Sequence, residues 1–271
     1  LIRRQRQMCI RDSHKVMEEE TLSRKRVNYK EYAHEVAFYV EDEMTIKEKW
    51  IVHPGIRGIL FHVGSTNYFS LEPRFSMQYN WTDRWETKAS YTLMSQYIHQ
   101  LGSSTMNMPT DLWVPVSDDV KPMKSHQCVL GVYYHPCARW HFSLEGFYKT
   151  QNHLLDDYNG VDITPEYADW KENVHSGKGR SYGLEWMGQK TGGRTNGWIN
   201  YTLSRAYRWF PDGSINQGLR FPAKYDSRHI LNLVLLHKFS NFFDVSATWT
   251  FNNGFYTTQP LERYDTPTHL P

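Results

Sequence analysis

Glu145 and Glu185 are the two residues of this sequence that most resemble a catalytic pair of carboxylates. Two carboxylates that flank a glycosidic bond can serve as general acid and as base or nucleophile in sugar hydrolysis. Both glutamates, however, occupy polar positions of alternating segments, near Arg139, Lys149 and Arg180. Charge-paired residues on a strand face fit this pattern better than catalysis does, so we predict no catalytic residue and no enzyme activity.

The sequence contains no motif that is typical of a metal site or of a phosphate-binding site. The 13 histidines are scattered, without the HExxH spacing or the close His and Asp cluster that zinc catalysis needs. The Gly192-Gly193 pair precedes no predicted helix, which indicates turn glycines rather than a phosphate cradle. Cys128 and Cys137 fall on one predicted strand, roughly 30 Å apart, which is too far for a disulfide. We therefore predict no metal and no cofactor.

Aromatic and acidic residues in long predicted loops are the better candidates for ligand contact. Long surface loops concentrate binding groups, and aromatic rings suit both sugars and chelates. The alternative is that these rings anchor loops to each other or form an aromatic belt. The candidates are Asp111, Trp113, Tyr158, Trp170, Tyr207, Trp209 and Phe210.

Strands must position these residues, because ten segments alternate polar and apolar residues with a period of two. In residues 70–82, for example, the odd positions from Leu71 to Trp81 are apolar and the even positions are polar. A proline and a glycine, Pro54-Gly55, predict a bulge or bend in the second segment. The segments are residues 31–41, 49–62, 70–82, 86–99, 126–135, 139–149, 180–189, 196–204, 228–239 and 243–251.

The lengths of strands and loops favour a transmembrane β-barrel over a soluble β-sandwich. The segments approach the roughly 9 to 11 tilted residues that cross a bilayer, whereas sandwich strands average about five to six. Short turns alternate with loops over about residues 101–125, 150–179 and 206–225, which places the long loops on one side. We predict an all-β, antiparallel, up-and-down transmembrane barrel, present as a partial barrel of about ten strands in an open curved sheet.

Charged residues recur on the polar positions of these strands. In a large barrel they would face the lumen, and on a soluble sandwich they would face solvent; the spacing allows both. The residues predicted to face the lumen are Glu72, Arg74, Glu86, Lys88, Arg139, Glu145 and Glu185.

The amino-acid composition alone does not distinguish a soluble protein from a membrane β-barrel. The mean hydropathy of −0.67 and 39% hydrophobic content would suit a soluble protein, but barrel strands also keep a polar average. Aromatic residues make up 15% of the chain, which suits rings held at an interface between oil and water. The net charge of +2 and the lack of a basic stripe argue against a nucleic-acid partner.

Eight phrases along the chain resemble TonB-dependent outer-membrane receptors, especially those of Bacteroidota-type bacteria. They occur in the order found in that family and extend over about residues 28–260. The phrases are HPGIR at 53–57, LEPRF at 71–75, KASY at 88–91, DLWVP at 111–115, LEGFYK at 144–149, GKGRSYGLE at 177–185, GWINYTLS at 197–204 and YDSRH at 225–229.

The resemblance implies a bacterial outer-membrane transporter for a large, scarce nutrient such as a siderophore-bound iron, cobalamin or a glycan. It also implies a 22-stranded barrel plugged by an N-terminal domain that the TonB-ExbB-ExbD complex pulls on. Implied partners are outer-membrane lipid, the nutrient ligand and a surface lipoprotein. A passive porin or adhesin barrel, and a soluble carbohydrate-binding β-protein, remain as alternatives.

The chain is expected to be part of such a receptor. Its residues match no plug domain, energy-coupling box or terminal barrel strand, so we expect residues 14–271 to be a piece of the barrel from its middle and later strands. Residues 4–12, which read RQRQMCIRD, resemble a translated sequencing adapter. We expect residues 1–13 to be an artefact and exclude them from fold reasoning.

Overall fold

Ten long antiparallel strands form one continuous sheet in the computed structural model, which describes residues 32–101, 112–157 and 174–256. The order across this sheet is β1-β3-β4-β5-β8-β9-β10-β11-β13-β14, with the short strands β2 and β12 added beside β3 and β11. The strands are β1 Ala33–Glu41, β2 Met44–Ile46, β3 Trp50–Val63, β4 Thr66–Asn80, β5 Trp85–Gln96, β6 Ile98–Leu101, β7 Leu112–Pro115, β8 Met123–Cys137, β9 Trp140–Asp157, β10 Val174–Lys190, β11 Thr195–Trp209, β12 Phe221–Pro222, β13 His229–Lys238 and β14 Asp244–Asn252.

The predicted antiparallel, up-and-down, open curved sheet is confirmed. From β4 onward, short turns over residues 81–84, 138–139, 191–194 and 239–243 lie at one end of the sheet, here called the turn end. The connections from β5 to β8, β9 to β10 and β11 to β13 lie at the opposite, loop end. The strands β9, β10 and β11 are longer than the alternation predicts, and their additional residues extend toward the loop end.

The sheet has one polar and one apolar face. In an antiparallel ladder, directly opposed residues point to the same side, so the register assigns each side chain to a face. Glu145 of β9 opposes Gly131 of β8 and Glu185 of β10, on the polar face. One position away, Leu144 opposes Val132 and Trp186, on the apolar face. The same assignment of faces extends across the sheet, except that Ile59, Phe61 and Val63 of β3 and Ile230, Val234 and Leu236 of β13 are apolar residues on the polar face.

The predicted bulge at Pro54-Gly55 is wrong. The ladder between β3 and β4 runs without a register shift through Pro54, which opposes Phe75, and Gly55, which opposes Arg74. Proline is tolerated because β1 ends at Glu41, opposite Gly55, so the missing N–H falls beyond the ladder with β1. Gly55 makes room instead: a Cβ there would lie 2.9 Å from Cγ of Arg74.

A real irregularity occurs at His153 in β9. The register with β10 shifts between Gly177 and Lys178, leaving His153 unopposed with a φ of 57°. Such a bulge moves every later side chain of the strand to the other face. Asp156 is thereby placed on the same face as Arg208 of β11, and the two side chains form an ion pair at 2.9 Å.

The connection between β5 and β8 carries structure that the sequence pattern did not predict. Its strands β6 and β7 pair with each other, and we call residues 97–101 and 112–120 the cap. The cap packs on the polar face at the loop end, where Tyr97 and Val116 join Phe61 and its neighbours on β3 in a buried apolar cluster. This cluster is the main core of the described residues.

Candidate functional site

A ladder of charged side chains crosses the polar face at mid-height. Arg57 of β3 opposes Glu72 of β4 and donates a hydrogen bond to Glu35 of β1 at 3.1 Å. Glu72 is only 2% exposed, and its Oε1 accepts a hydrogen bond from the backbone N–H of Ser95 at 2.7 Å. The Nε of the adjacent Arg74 is buried without a hydrogen-bond partner. A buried carboxylate such as that of Glu72 needs a hydrogen-bond partner, because burial without one is costly.

A second cluster on the polar face lies nearer the turn end. Glu86 accepts a hydrogen bond from Gln78 at 2.8 Å and forms an ion pair with Lys88 at 3.0 Å. The ammonium group of Lys88 lies 4.5 Å from the centre of the Tyr133 ring, within cation–π range. His135 approaches Glu86 at 3.7 Å. Glu86 and Lys88 thus satisfy each other across the sheet surface.

Glu145 and Glu185 stand directly opposite each other on adjacent strands. Opposed Cβ atoms in a sheet lie about 5 Å apart, so the two carboxylates share one small region of the polar face. The predicted charge pairing is wrong, because among the described residues neither glutamate forms an ion pair. Arg180 is on the apolar face, one position out of phase. Within the described part of the chain, Lys149 reaches no carboxylate within ion-pair distance.

The placement of Arg139 is also corrected. It lies in the two-residue turn between β8 and β9 and is exposed, not on a strand face. Its carbonyl oxygen accepts a hydrogen bond from the N–H of Thr191 at 2.8 Å, which ties two neighbouring turns together. The physical reason is that β8 continues through Pro136 to Cys137, so the turn falls two residues later than the Pro136-Cys137 pair suggested.

The other predicted lumen residues share the polar face. Register places on that face Glu72, Arg74, Glu86, Lys88, Glu145 and Glu185.

The cap fastens one edge of this face at the loop end. The ring of Tyr97 stacks on Phe61 with centroids 4.7 Å apart, and its hydroxyl is hydrogen-bonded to Ser70. The backbone N–H of Val116 donates to the carbonyl oxygen of Tyr97 at 2.8 Å. The hydroxyl of Tyr68 donates to the carbonyl oxygen of Ser117. The cap is therefore a fixed part of the polar face at this end.

His99 is the buried titratable group of the cap. Its imidazole is 5% exposed and its Nε2 has no hydrogen-bond partner. Burial lowers the pKa of His99 from 6.5 to about 4, because the charged form loses its hydration. The ring is consequently neutral at neutral pH.

The predicted ligand-contact residues separate into three groups. Trp113 lies in β7 on the cap and is 46% exposed, so its ring is available at the loop end. Tyr207 and Trp209 lie in β11 rather than in a loop, at positions that share the apolar face. Phe210 is fully buried and packs over Gly177, where a Cβ would come within 2.5 Å of the ring. Asp111, Tyr158 and Trp170 lie outside the described residues.

Two buried polar residues between β11 and β13, Asp226 and Ser227, are not predicted by the sequence pattern. Asp226 is 3% exposed, accepts a hydrogen bond from the N–H of Ala206 at 2.8 Å and lies 3.6 Å from Arg205. Ser227 is also buried, and its hydroxyl donates to Asn253 at 3.2 Å. The phrase YDSRH at 225–229 contains both residues, so its polar pair was the available signal.

Aromatic rings crowd the apolar face near the turn end. Trp85 stacks on Tyr134 with centroids 4.2 Å apart, and Trp140 stacks on Phe142 at 5.7 Å. Aromatic belts of this kind sit at membrane interfaces, where a ring meets both lipid and water. From Trp140 to Tyr148 the strand rises by about 26 Å, or roughly 20 Å along the normal of a barrel with strands tilted by about 40°. Exposed leucines fill the band between.

Among residues 32–101, 112–157 and 174–256, no cluster of three or more His, Cys, Asp or Glu side chains could hold a metal ion. Within the same ranges, no helix has the length and apolar character to cross a membrane.

Comparison with known proteins identifies the family of this fold. A family model described as TonB dependent receptor-like, beta-barrel matches residues 16–269. No curated protein matches the chain.

Solved structures with the same fold include three receptors. The ferric-catecholate import receptor Fiu of E. coli K12 is 16% identical with a TM-score of 0.58, over 81% of this chain and 34% of that one. The ferric yersiniabactin uptake receptor FyuA of Yersinia pestis is 15% identical with a TM-score of 0.58, over 82% and 34%. The ferripyoverdine receptor of the outer membrane of Pseudomonas aeruginosa, bound to ferripyoverdine, is 14% identical with a TM-score of 0.58, over 84% and 32%.

The chain therefore spans about a third of the length of these solved receptors. Their identity is low, so the likeness concerns the fold, while the family match extends over nearly the whole sequence. The chain belongs to the TonB-dependent receptor β-barrel family.

Proposed function

We propose that this chain forms part of the barrel wall of an outer-membrane active transporter, with its apolar face toward lipid and its polar face toward the lumen. The observation that carries the proposal is the division of ten strands into an aromatic-belted apolar face and a charged polar face, in a chain of this family. Strands outside the chain would complete the barrel, which removes the unpaired edges of β1 and β14. Residues 14–271 are then barrel domain, and residues 1–13 lie outside it.

The cargo we propose is a large, scarce nutrient, with siderophore-bound iron ahead of cobalamin or a glycan. Three solved receptors of the same fold carry ferric chelates in their names, which favours iron for this chain. Trp113 on the cap, together with Asp111, Tyr158 and Trp170, would contact the cargo from the loop end. Flat aromatic rings suit chelates because they bind large ligands with little loss of conformational entropy.

Energy coupling is part of the same proposal, and the uncovered part of the polar face supports it. Glu145 and Glu185 form no ion pair among the described residues, which cover this face only at the loop end. A plug domain in the lumen would supply partners for such groups, and the TonB-ExbB-ExbD complex would act through that plug. A surface lipoprotein is a further proposed partner, on the loop side. The receptors of Bacteroidota-type bacteria remain the predicted branch of the family.

The test is uptake by the full-length receptor that contains this segment, expressed in cells that lack their own iron-chelate receptors. Radiolabelled ferric siderophores, cobalamin and oligosaccharides are offered with and without a protonophore, and in a matched strain without TonB. We expect uptake of one of these cargo classes that stops in both de-energised controls. Equal uptake in the TonB-less strain would indicate a passive porin, and recovery of the protein in the water-soluble fraction would indicate a soluble β-protein; either contradicts the proposal.

A further inference from the structure

The apolar face carries a groove that nothing in the transport cycle uses. It lies between β8 and β11 and has a volume of about 770 Å³. Gly146 of β9 forms its floor, because Gly146 opposes Leu130 on one side and Leu184 on the other. The two leucines are 59% and 53% exposed and stand as walls on either side of a residue without a side chain. The groove is thus an apolar channel that runs along the strands.

A tyrosine row closes the groove toward the loop end. Cys128, Tyr148, Tyr182 and Arg205 occupy consecutive strands in one register row, two residues beyond the row of Gly146. Tyr148, Tyr182 and Arg205 all line the groove. Tyrosines at this height present an apolar ring to hydrocarbon and a hydroxyl to the headgroup region.

Cations follow at the next two rows toward the loop end. Arg180 opposes Tyr207, and one row farther Lys178 opposes Trp209. Lys124 of β8 falls in the row of Lys178 across β9, since both oppose Asn152. All three side chains point to the apolar face by the same alternation that places Leu130 and Leu184 there. The face therefore changes from leucine to tyrosine to cation along a single direction.

Arg180 contacts aromatic rings and no carboxylate among the described residues. The guanidinium of Arg180 lies 5.8 Å from the ring centre of Tyr148 and 5.9 Å from that of Trp209. Arg220, from the connection after β11, lies 5.0 Å from the same Trp209 ring. The Nε of Arg180 is buried and makes no hydrogen bond. Within the described part of the chain, no carboxylate is within ion-pair distance of Lys124, Lys178 or Arg180.

We propose that this region binds one membrane lipid with a phosphorylated headgroup, and this rests on the proposed membrane location. An acyl chain lies in the groove over Gly146, the two tyrosines flank the headgroup junction, and Arg180 with Lys178 and Lys124 binds the phosphate. Charge complementarity selects this occupant, because a neutral lipid would leave three cations unpaired at the membrane surface.

The experiment compares two lipids on the full-length receptor, folded in nanodiscs of phosphatidylcholine. Bisphosphorylated and monophosphorylated lipid A share their acyl chains and differ by one phosphate, so binding is measured for each by native mass spectrometry. We expect tighter binding of the bisphosphorylated form. The double variant Lys178→Gln/Arg180→Gln should weaken that binding roughly 30-fold, at about one factor of five per cation.

Matched controls separate a site from general surface charge. The double variant Arg139→Gln/Arg194→Gln removes two exposed cations from turns at the opposite end and should leave binding unchanged. Gly146→Leu fills the groove and should weaken both lipids equally, since it removes chain contacts rather than phosphate contacts. Inorganic phosphate added in excess should displace neither lipid, because the groove contributes to binding.

Several outcomes would overturn the proposal. They are equal losses in the two double variants, no loss in Lys178→Gln/Arg180→Gln, unchanged binding in Gly146→Leu, and displacement by inorganic phosphate. Folding is followed by the heat-dependent gel migration of closed barrels. A receptor that fails to form a barrel contradicts the proposed function, whereas a folded barrel without phosphate selectivity contradicts the lipid site alone.

Discussion

Glu72 accepts a hydrogen bond from the backbone N–H of Ser95 at 2.7 Å, at a point where the ladder between their strands has already ended. The last paired residues of β4 and β5 in this direction are Arg74 and Thr92. Beyond them a buried carboxylate replaces the missing backbone bond and holds the start of the cap against the polar face. A charged acceptor makes such a bond stronger than its neutral equivalent.

Removing this acceptor should loosen the cap. We expect Glu72→Ala to lower the free energy of unfolding by about 1–3 kcal/mol, because it leaves the partly buried Ser95 N–H without its acceptor. Glu72→Gln should cost less, since an amide oxygen still accepts the bond. The measurement is hydrogen exchange at the Ser95 amide of the folded receptor, with Glu185→Ala as the control on the same face. Unchanged Ser95 protection in Glu72→Ala would contradict the assigned role.

His99 should make the cap sensitive to acid. Its pKa in the folded protein is lowered to about 4 from 6.5, so the unfolded state binds the proton first as the pH falls. The stability contributed by the neutral ring is complete above pH 6.5 and is lost progressively between pH 6.5 and about 4. We expect cap opening, followed by the fluorescence of Trp113, to rise through this window.

The variant His99→Leu should remove that pH dependence and keep the burial. His62→Leu serves as the matched control, because His62 lies on the apolar face away from the cap and should leave the profile as it is. A profile that persists in His99→Leu would assign the acid sensitivity to another group.

Gly177 and Phe210 should show strong coupling. A Cβ at Gly177 would approach the Phe210 ring to 2.5 Å, so Gly177→Ala should destabilise the barrel by about 1–3 kcal/mol through overpacking. Phe210→Ala alone leaves a cavity and should cost about 3–5 kcal/mol. In the double variant the added methyl no longer meets the ring, so the two costs should be less than additive.

The control for this cycle is Gly58→Ala, where a Cβ would meet Leu71 at an ordinary 3.6 Å. Thermal unfolding of the detergent-solubilised receptor measures all four variants. Additive costs for Gly177→Ala and Phe210→Ala would mean that the ring moves away freely and does not pin β10.

Alternation predicted the ten strands and their two faces because one residue in two is apolar, whichever strand is its neighbour. It failed where packing replaces alternation. Gly177 and Gly179 have no side chain that could indicate a polar or apolar face. Alternation therefore predicts the beginning of β10, up to Gly179, as loop. Alternation also predicts a loop at Tyr207 and Trp209, because cations and aromatic rings mix on both faces near the loop end.

The sequence predicts which residue types lie on the polar face better than it predicts which of them are neighbours. Register, which single-strand patterns do not contain, decides that Glu145 opposes Glu185. The opposite orientation of Arg180 follows from parity within β10, because it lies an odd number of residues from Glu185. The bulge at His153 and the pairing of β6 with β7 depend on contacts between distant residues. Parity within β4 and β5 is enough to predict that Glu72, Arg74, Glu86 and Lys88 share one face, and the register places them there. That this face lines a lumen stays a prediction.

The central claim is that adjacent residues of one strand meet lipid and lumen in turn. It is tested most directly by spin labels at Leu144 and Glu145, introduced singly as cysteines into the full-length receptor with all native cysteines replaced by serine. Accessibility to oxygen and to a water-soluble nickel chelate is then measured in a bilayer. We expect a label at 144 to be exposed to oxygen and shielded from nickel, and a label at 145 to be shielded from lipid. Equal exposure of both positions to nickel would contradict it.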